Sequence, residues 1–126
     1  MKHISVLVPQ GAVALGCIEG PYILFNKANE FLESMGKKKL FEVQLVGLTR
    51  KAQLYDRLFT VTPNLAFAEV TKTNLIIIPA VNGDMKEVIE SNKDFFPWII
   101  KQHKAGAEVA SLCVGSFLLA STGLLN

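Results

Sequence analysis

Ala107–Asn126, AEVASLCVGSFLLASTGLLN, is the stretch whose reading decides the fold. Val109, Ala110 and Leu112 form an apolar run that predicts a buried strand. The run breaks at Cys113-Val114-Gly115, after which Phe117, Leu118, Leu119 and Ala120 predict a buried helix ended by Gly123. A cysteine at such a corner has its sulfur pushed out of the core, and the free N–H groups opening the next helix favour the thiolate. Gly115 leaves room for close approach of backbone behind the corner. The pattern is the cysteine counterpart of the serine elbow, with Ser111 in place of the usual first glycine. Two plainer readings stand beside it. Cysteine is often buried, so Cys113 can be read as a small core hydrophobe. Val109–Asn126 also carries no charge, as a membrane span would not, but its minimal length, glycines and hydroxyls argue against lipid.

Outward from this corner, the chain alternates strand and helix. Ile4–Val8 is almost wholly apolar, as in a sheet covered on both faces. Pro9 to Glu19 is expected to be a glycine-bearing loop, with Gly20-Pro21 opening a helix whose proline sits in the first turn. The inward stripe expected of that helix is Leu24, Ala28, Phe31, Leu32 and Met35. Phe41–Val46 and Leu58–Thr62 are expected strands, and PNLAFAEVTKTN a crossing segment with a short helical turn. Leu75–Ile78, ending at Pro79, is the clearest strand and belongs in the middle of a parallel sheet. Asp84–Glu90 and Lys93–Lys104 are two helical pieces broken near Asn92. This order predicts an α/β fold in three layers, a mainly parallel sheet with helices on both faces in the flavodoxin-like manner. In such a sheet, ligands sit beyond the carboxyl ends of the strands, where Gln10–Glu19, Ala80–Asp84 and Cys113–Gly115 are expected to converge.

Composition narrows the classes. At 126 residues, half of them hydrophobic and 19% charged, the chain reads as one folded domain, residues 1–126. Thirteen Lys and Arg against eleven Asp and Glu give a net charge of +2, too weak to argue for nucleic acid or a membrane surface. The run Lys37-Lys38-Lys39 follows the expected helix end at Gly36, a favourable place for cations. Met1-Lys2-His3 leads into a strand-like ISVLVP rather than a secretory leader, and two cysteines without a leader suggest a reducing compartment. A cytoplasmic location is therefore expected. Two cysteines and two scattered histidines give no metal-ligand spacing, so no metal and no cofactor are expected.

The motif C-x-G-x-x-x-L-A-x-x-G-L-L at Cys113, Gly115, Leu119, Ala120, Gly123, Leu124 and Leu125 resembles the ThiJ/PfpI branch of the class I glutamine amidotransferase-like superfamily. So does G-P-x-x-x-F-x-x-A-N at Gly20, Pro21, Phe25, Ala28 and Asn29, with LIIIPA before the corner. Within that branch the chain is most similar to the ligand domain of AraC-type transcriptional regulators. The resemblance runs along the whole chain, and it implies a ThiJ/PfpI-like domain incomplete at its C-terminal end. The family continues with a further strand, and the regulators add a helix-turn-helix half.

Carried over by position, Cys113 matches the family's elbow cysteine and Val114 N–H one oxyanion-type donor. The backbone at Ala80–Val81 matches the other donor, where hydrolytic relatives have two glycines. The acidic partner of enzymatic relatives stands four positions before the helix-opening proline, and here that position is Cys17. Glu19 is two residues away from it. A nucleophilic cysteine needs a base within reach and donors for an oxyanion. The histidines, His3 and His103, are expected at the surface instead. Cys17 beside Cys113 has two readings, an oxidant-responsive pair or a small pocket-lining residue, and a reducing compartment favours the second. The expected function is therefore a non-catalytic small-molecule-sensing domain of an AraC-type regulator. Its ligand would be held near Cys17, Glu19, Ala80, Val81, Cys113 and Val114. A homodimer is expected, DNA contact only through a helix-turn-helix domain outside this chain, and no membrane. The alternative is a cysteine-dependent hydrolase, amidase or glyoxalase-like enzyme of ThiJ/PfpI type with Cys113 catalytic.

Overall fold

The computed structural model describes residues 1–126. In chain order the strands are β1 (Lys2–Val8), β2 (Ala12–Val13), β3 (Phe41–Gly47), β4 (Ala52–Leu54), β5 (Phe59–Val61), β6 (Leu65–Ala66), β7 (Leu75–Ile78), β8 (Val81–Asn82) and β9 (Glu108–Ser111). The helices are α1 (Gly16–Ser34), α2 (Met85–Asn92), α3 (Phe95–Lys104) and α4 (Ser116–Ser121), with 3₁₀ turns at Phe67–Glu69 and Cys113–Gly115. Five strands form an all-parallel sheet in the order β6-β3-β1-β7-β9.

The first strand is the middle of this sheet. Ile4, Ser5, Val6, Leu7 and Val8 are all buried, and because successive side chains point to opposite faces, both faces are covered. From β1 the chain steps one way to β3 and β6, then returns to β7 and β9 on the other side. Right-handed crossovers place α1 on one face and α2 with α3 on the opposite one, which is the expected three-layer α/β arrangement. Ser5 is the polar exception in the core, and it is satisfied: its hydroxyl donates to Thr73 Oγ1 at 2.8 Å, and Thr73 donates to the His3 carbonyl at 3.1 Å.

Helix α1 departs from expectation twice. It starts at Gly16 rather than at Gly20-Pro21, so part of the expected Pro9–Glu19 loop is helical. Cys17 N–H bonds Ala14 O at 2.9 Å and Glu19 N–H bonds Leu15 O at 2.9 Å, winding the first turn ahead of the proline. Pro21 lies inside the helix and forgoes the bond to the Cys17 carbonyl. The inward stripe is also different. Ile18 and Asn29 are buried and Phe25 and Leu32 half-buried, whereas Leu24 and Phe31 are 66% and 65% exposed. Two apolar stripes share this helix, and periodicity alone does not say which faces in. The deciding residue is polar. Asn29 donates to Phe41 O at 2.7 Å and accepts from Leu40 N–H and Phe41 N–H, fastening α1 to the start of β3.

Beyond β3, the expected strand at Leu58–Thr62 is β5, but it lies outside the main sheet, paired antiparallel with β4. Its turn holds Tyr55, Asp56 and Arg57 at φ of 52°, 50° and 71°. Left-handed backbone costs about 1–2 kcal/mol at a non-glycine residue. The β4–β5 ladder and the full burial of Ala52 and Leu54 hold it there. The expected crossing segment differs in its first part, where Leu65–Ala66 joins the main sheet as edge strand β6 beside β3, and the expected short helical turn follows at Phe67–Glu69. Phe67 packs on Phe95 and Trp98, and Trp98 donates from its indole to Val70 O at 3.1 Å.

Glu69 ties the two ends of this excursion together. Its carboxylate takes both guanidinium contacts of Arg50 and the Ala66 N–H. The Arg50 hydrogen bonds, then the Ala66 N–H, hold its pKa down at about 2 from an ordinary 4.5. A depressed carboxylate pKa stabilises the fold above the unfolded value and is lost as the folded group protonates. Glu69→Gln is therefore expected to lower stability above pH 4.5 and to flatten the acid limb between about pH 4.5 and 2 in chemical denaturation followed by circular dichroism.

Candidate functional site

The carboxyl edge of the sheet is built on the end of β7. Strand order reverses between β1 and β7, so the ends of these two strands splay their loops apart and leave a crevice. Both strands end at prolines, Pro9 and Pro79, which stop the ladder. Across the gap, β2 and β8 pair antiparallel, Ala12 with Asn82 and Val13 with Val81, and Ala14 N–H bonds Ala80 O at 2.9 Å. On the other flank, Leu112 N–H bonds Ile78 O at 2.9 Å, extending the β7–β9 ladder by a residue.

There the chain turns. Leu112 is extended, Cys113 has φ of +51°, and the Cys113–Gly115 turn closes with Gly115 N–H on Leu112 O at 2.9 Å before α4 begins. The turn is possible because position 115 lacks a side chain. A Cβ on Gly115 would stand 2.6 Å from both Ile78 O and Pro79 O, well inside contact distance. Cys113 is pinned in left-handed backbone between that close approach and the Leu112 bond. Its thiol is free and exposed, and it lines none of the molecule's cavities. Helix α4 is shorter and less buried than expected: Leu118 and Leu119 are covered, but Phe117 and Ala120 are exposed.

Of the other residues singled out from sequence, Ala80 and Val81 are buried and Val114 half-buried, and β8 packs against the Cys113–Gly115 turn. Cys17 is a half-buried free thiol in the first turn of α1, one hydrogen bond removed from Ala14 and so from Ala80. Glu19 is exposed and borders a groove along α1 with Gly16, Gly20, Ile23, Leu24 and Lys27. The two histidines stand at the opposite, amino-terminal edge of the sheet. His3, the second residue of β1, faces Glu42 at 3.2 Å, and His103, in the last turn of α3, has its Nδ1 3.0 Å from Ala107 O, just before β9. No three His, Cys, Asp or Glu side chains converge as a metal-binding group. No helix is long and apolar enough to cross a membrane.

One organising residue was hidden in the sequence. Asn92, expected only as a helix break, is the fully buried last residue of α2. It accepts from Gln10 N–H at 2.7 Å and donates to Gln10 O at 3.0 Å and Val88 O at 2.8 Å. It thereby fixes the loop after β1. Asn92→Leu, which strands the backbone N–H and C=O of Gln10, is expected to cost about 2–3 kcal/mol in urea denaturation. Gly115→Ala is expected to cost about 1–3 kcal/mol, because backbone rather than a side-chain tip must yield. Loss of less than half of either amount would show that the edge relaxes freely.

No family model and no curated protein sequence matches the chain. Solved structures do. A putative transcriptional regulator protein from Vibrio parahaemolyticus is 25% identical over 98% of this chain, with a TM-score of 0.78. A two-domain protein from Anabaena variabilis with DJ-1/ThiJ/PfpI-like and ferritin-like domains is 19% identical over 98% of the chain, with a TM-score of 0.71. DJ-1β of Drosophila melanogaster is 20% identical over 97%, with a TM-score of 0.63. The chain spans 62%, 33% and 60% of these three proteins. Their common architecture is the one described above, and the chain has the fold of the DJ-1/ThiJ/PfpI superfamily.

Proposed function

We propose that the chain is a small-molecule-sensing domain of an AraC-type transcriptional regulator, acting in the cytoplasm without catalysing a reaction. The observation that carries this reading is the likeness to the putative regulator over 98% of the chain. The surroundings of Cys113 support it. An activated thiol needs a base or proton shuttle within hydrogen-bond reach. Here both histidines lie at the far edge of the sheet, and the position that carries an acid in enzymatic relatives is Cys17. On this reading the ligand is held at the exposed Cys113 and the half-buried Cys17 and Val114, over the buried Ala80 and Val81 and beside Glu19, and DNA is contacted by a helix-turn-helix domain outside these residues. The regulator is a homodimer, and the exposed Leu24 and Phe31 on α1, with Met35 at its C-cap, are apolar surface in keeping with that.

The exposed Cys113, in left-handed backbone at a strand-to-helix corner, favours a second reading as a cysteine-dependent hydrolase, amidase or glyoxalase-like enzyme. The two readings part experimentally. The intact gene product is expected to retard the DNA upstream of its own gene in a mobility-shift assay, with Cys113→Ala retaining this binding. Methylglyoxal and chromogenic amides are expected to remain unconverted. Turnover abolished by Cys113→Ala, or the absence of any DNA retardation, would overturn the sensing reading.

A further inference from the structure

A cleft of about 580 Å3 lies between the loop after β1 and the β4–β5 turn, lined by Gln10, Gly11, Gln53, Tyr55, Asp56 and Arg57. Its volume falls within the ~300–1,000 Å3 of small-molecule sites. Of the six residues only one is hydrophobic, so the cleft offers hydrogen bonds and charge rather than apolar burial. Its two charged groups are uncommitted. Arg57 and Asp56 make no ion pair, with each other or with any other residue. The chain's other arginine, Arg50, is fully engaged by Glu69. The two walls of the cleft are both fixed. Gln10 is clamped through its backbone by the buried Asn92, and Gly11 bridges Leu54 at the base of the turn. Three successive left-handed residues, Tyr55 to Arg57, present their side chains from a tight turn that Leu58 N–H closes on Tyr55 O at 3.0 Å.

We propose that this cleft binds a small zwitterion, an α-amino acid or close analogue, with Arg57 taking the carboxylate and Asp56 the ammonium. Opposite charges on adjacent residues suit a ligand that carries both signs a few bonds apart. The Asp56 carboxylate disfavours a multiply charged anion such as phosphate, and Arg57 disfavours a simple amine. The amides of Gln10 and Gln53 and the Tyr55 hydroxyl are left for the ligand's side chain. The site is independent of the part played by Cys113.

The test is isothermal titration calorimetry of the protein with each of the common L-α-amino acids, and with acetate, methylamine and inorganic phosphate. At least one amino acid is expected to bind saturably, and acetate, methylamine and phosphate far more weakly. Arg57→Gln and Asp56→Asn are each expected to weaken it at least about tenfold, the loss of one charge-assisted contact. Both substitutions sit in an exposed turn, and asparagine tolerates left-handed backbone, so an unchanged melting temperature is the expected control. No amino acid binding, or phosphate or acetate binding as tightly, would overturn the proposal. So would amino acid binding that survives both substitutions, although that result would leave the sensing reading in place.

Discussion

The end of strand β7 is the point on which the rest of the functional edge depends. Within a few residues, Ile78 O accepts Leu112 N–H, Ala80 O accepts Ala14 N–H, and the bare backbone of Gly115 rests on Ile78 and Pro79. Three segments far apart in sequence thus share one short piece of chain. The constraint is mutual. Gly115 can approach only because it has no Cβ, and the turn carrying Cys113 keeps its left-handed backbone only while Gly115 is held close. A second layer, from Asn92 to Gln10, fixes the loop on the β1 side, so the two banks of the crevice are set by different residues.

This division bears on how the superfamily fold accommodates different roles. The corner supplies an exposed thiol on a rigid turn, which is half of what a nucleophilic site requires. The other half, a base and its orienting partner, would have to come from the neighbouring loops. Here those loops contribute Cys17, Ala80 and Val81, none of them an acid or a histidine. The scaffold and its chemistry are separable.

Much of the sheet was legible in the sequence because parallel strands covered on both faces read as unbroken apolar runs, as at Ile4–Val8 and Leu75–Ile78. The corner was legible because glycine and cysteine break such a run. What stayed hidden shares a cause. Asn29 and Asn92 are buried to serve backbone groups from other segments, and a pattern built on hydrophobicity assigns them to the surface. The start of α1 was misplaced because proline marks a first turn only on average, and here hydrogen bonds to Ala14 and Leu15 wind the helix before it. The β4–β5 turn lacks glycine and asparagine, and Asp56 between Tyr55 and Arg57 was too weak a local sign of a hairpin. The cleft beside them was invisible for the same reason.

The placement of β1 carries a consequence for how the molecule is made. Its registers join Lys2 to Phe41 on one side and Ile4 to Leu75 on the other. Strand β1 is therefore synthesised well before β7, one of its two neighbours. Until residues up to Ile78 have been synthesised, one flank of this buried strand stands open, and this non-local pairing makes assembly slow and exposed to association with other nascent chains.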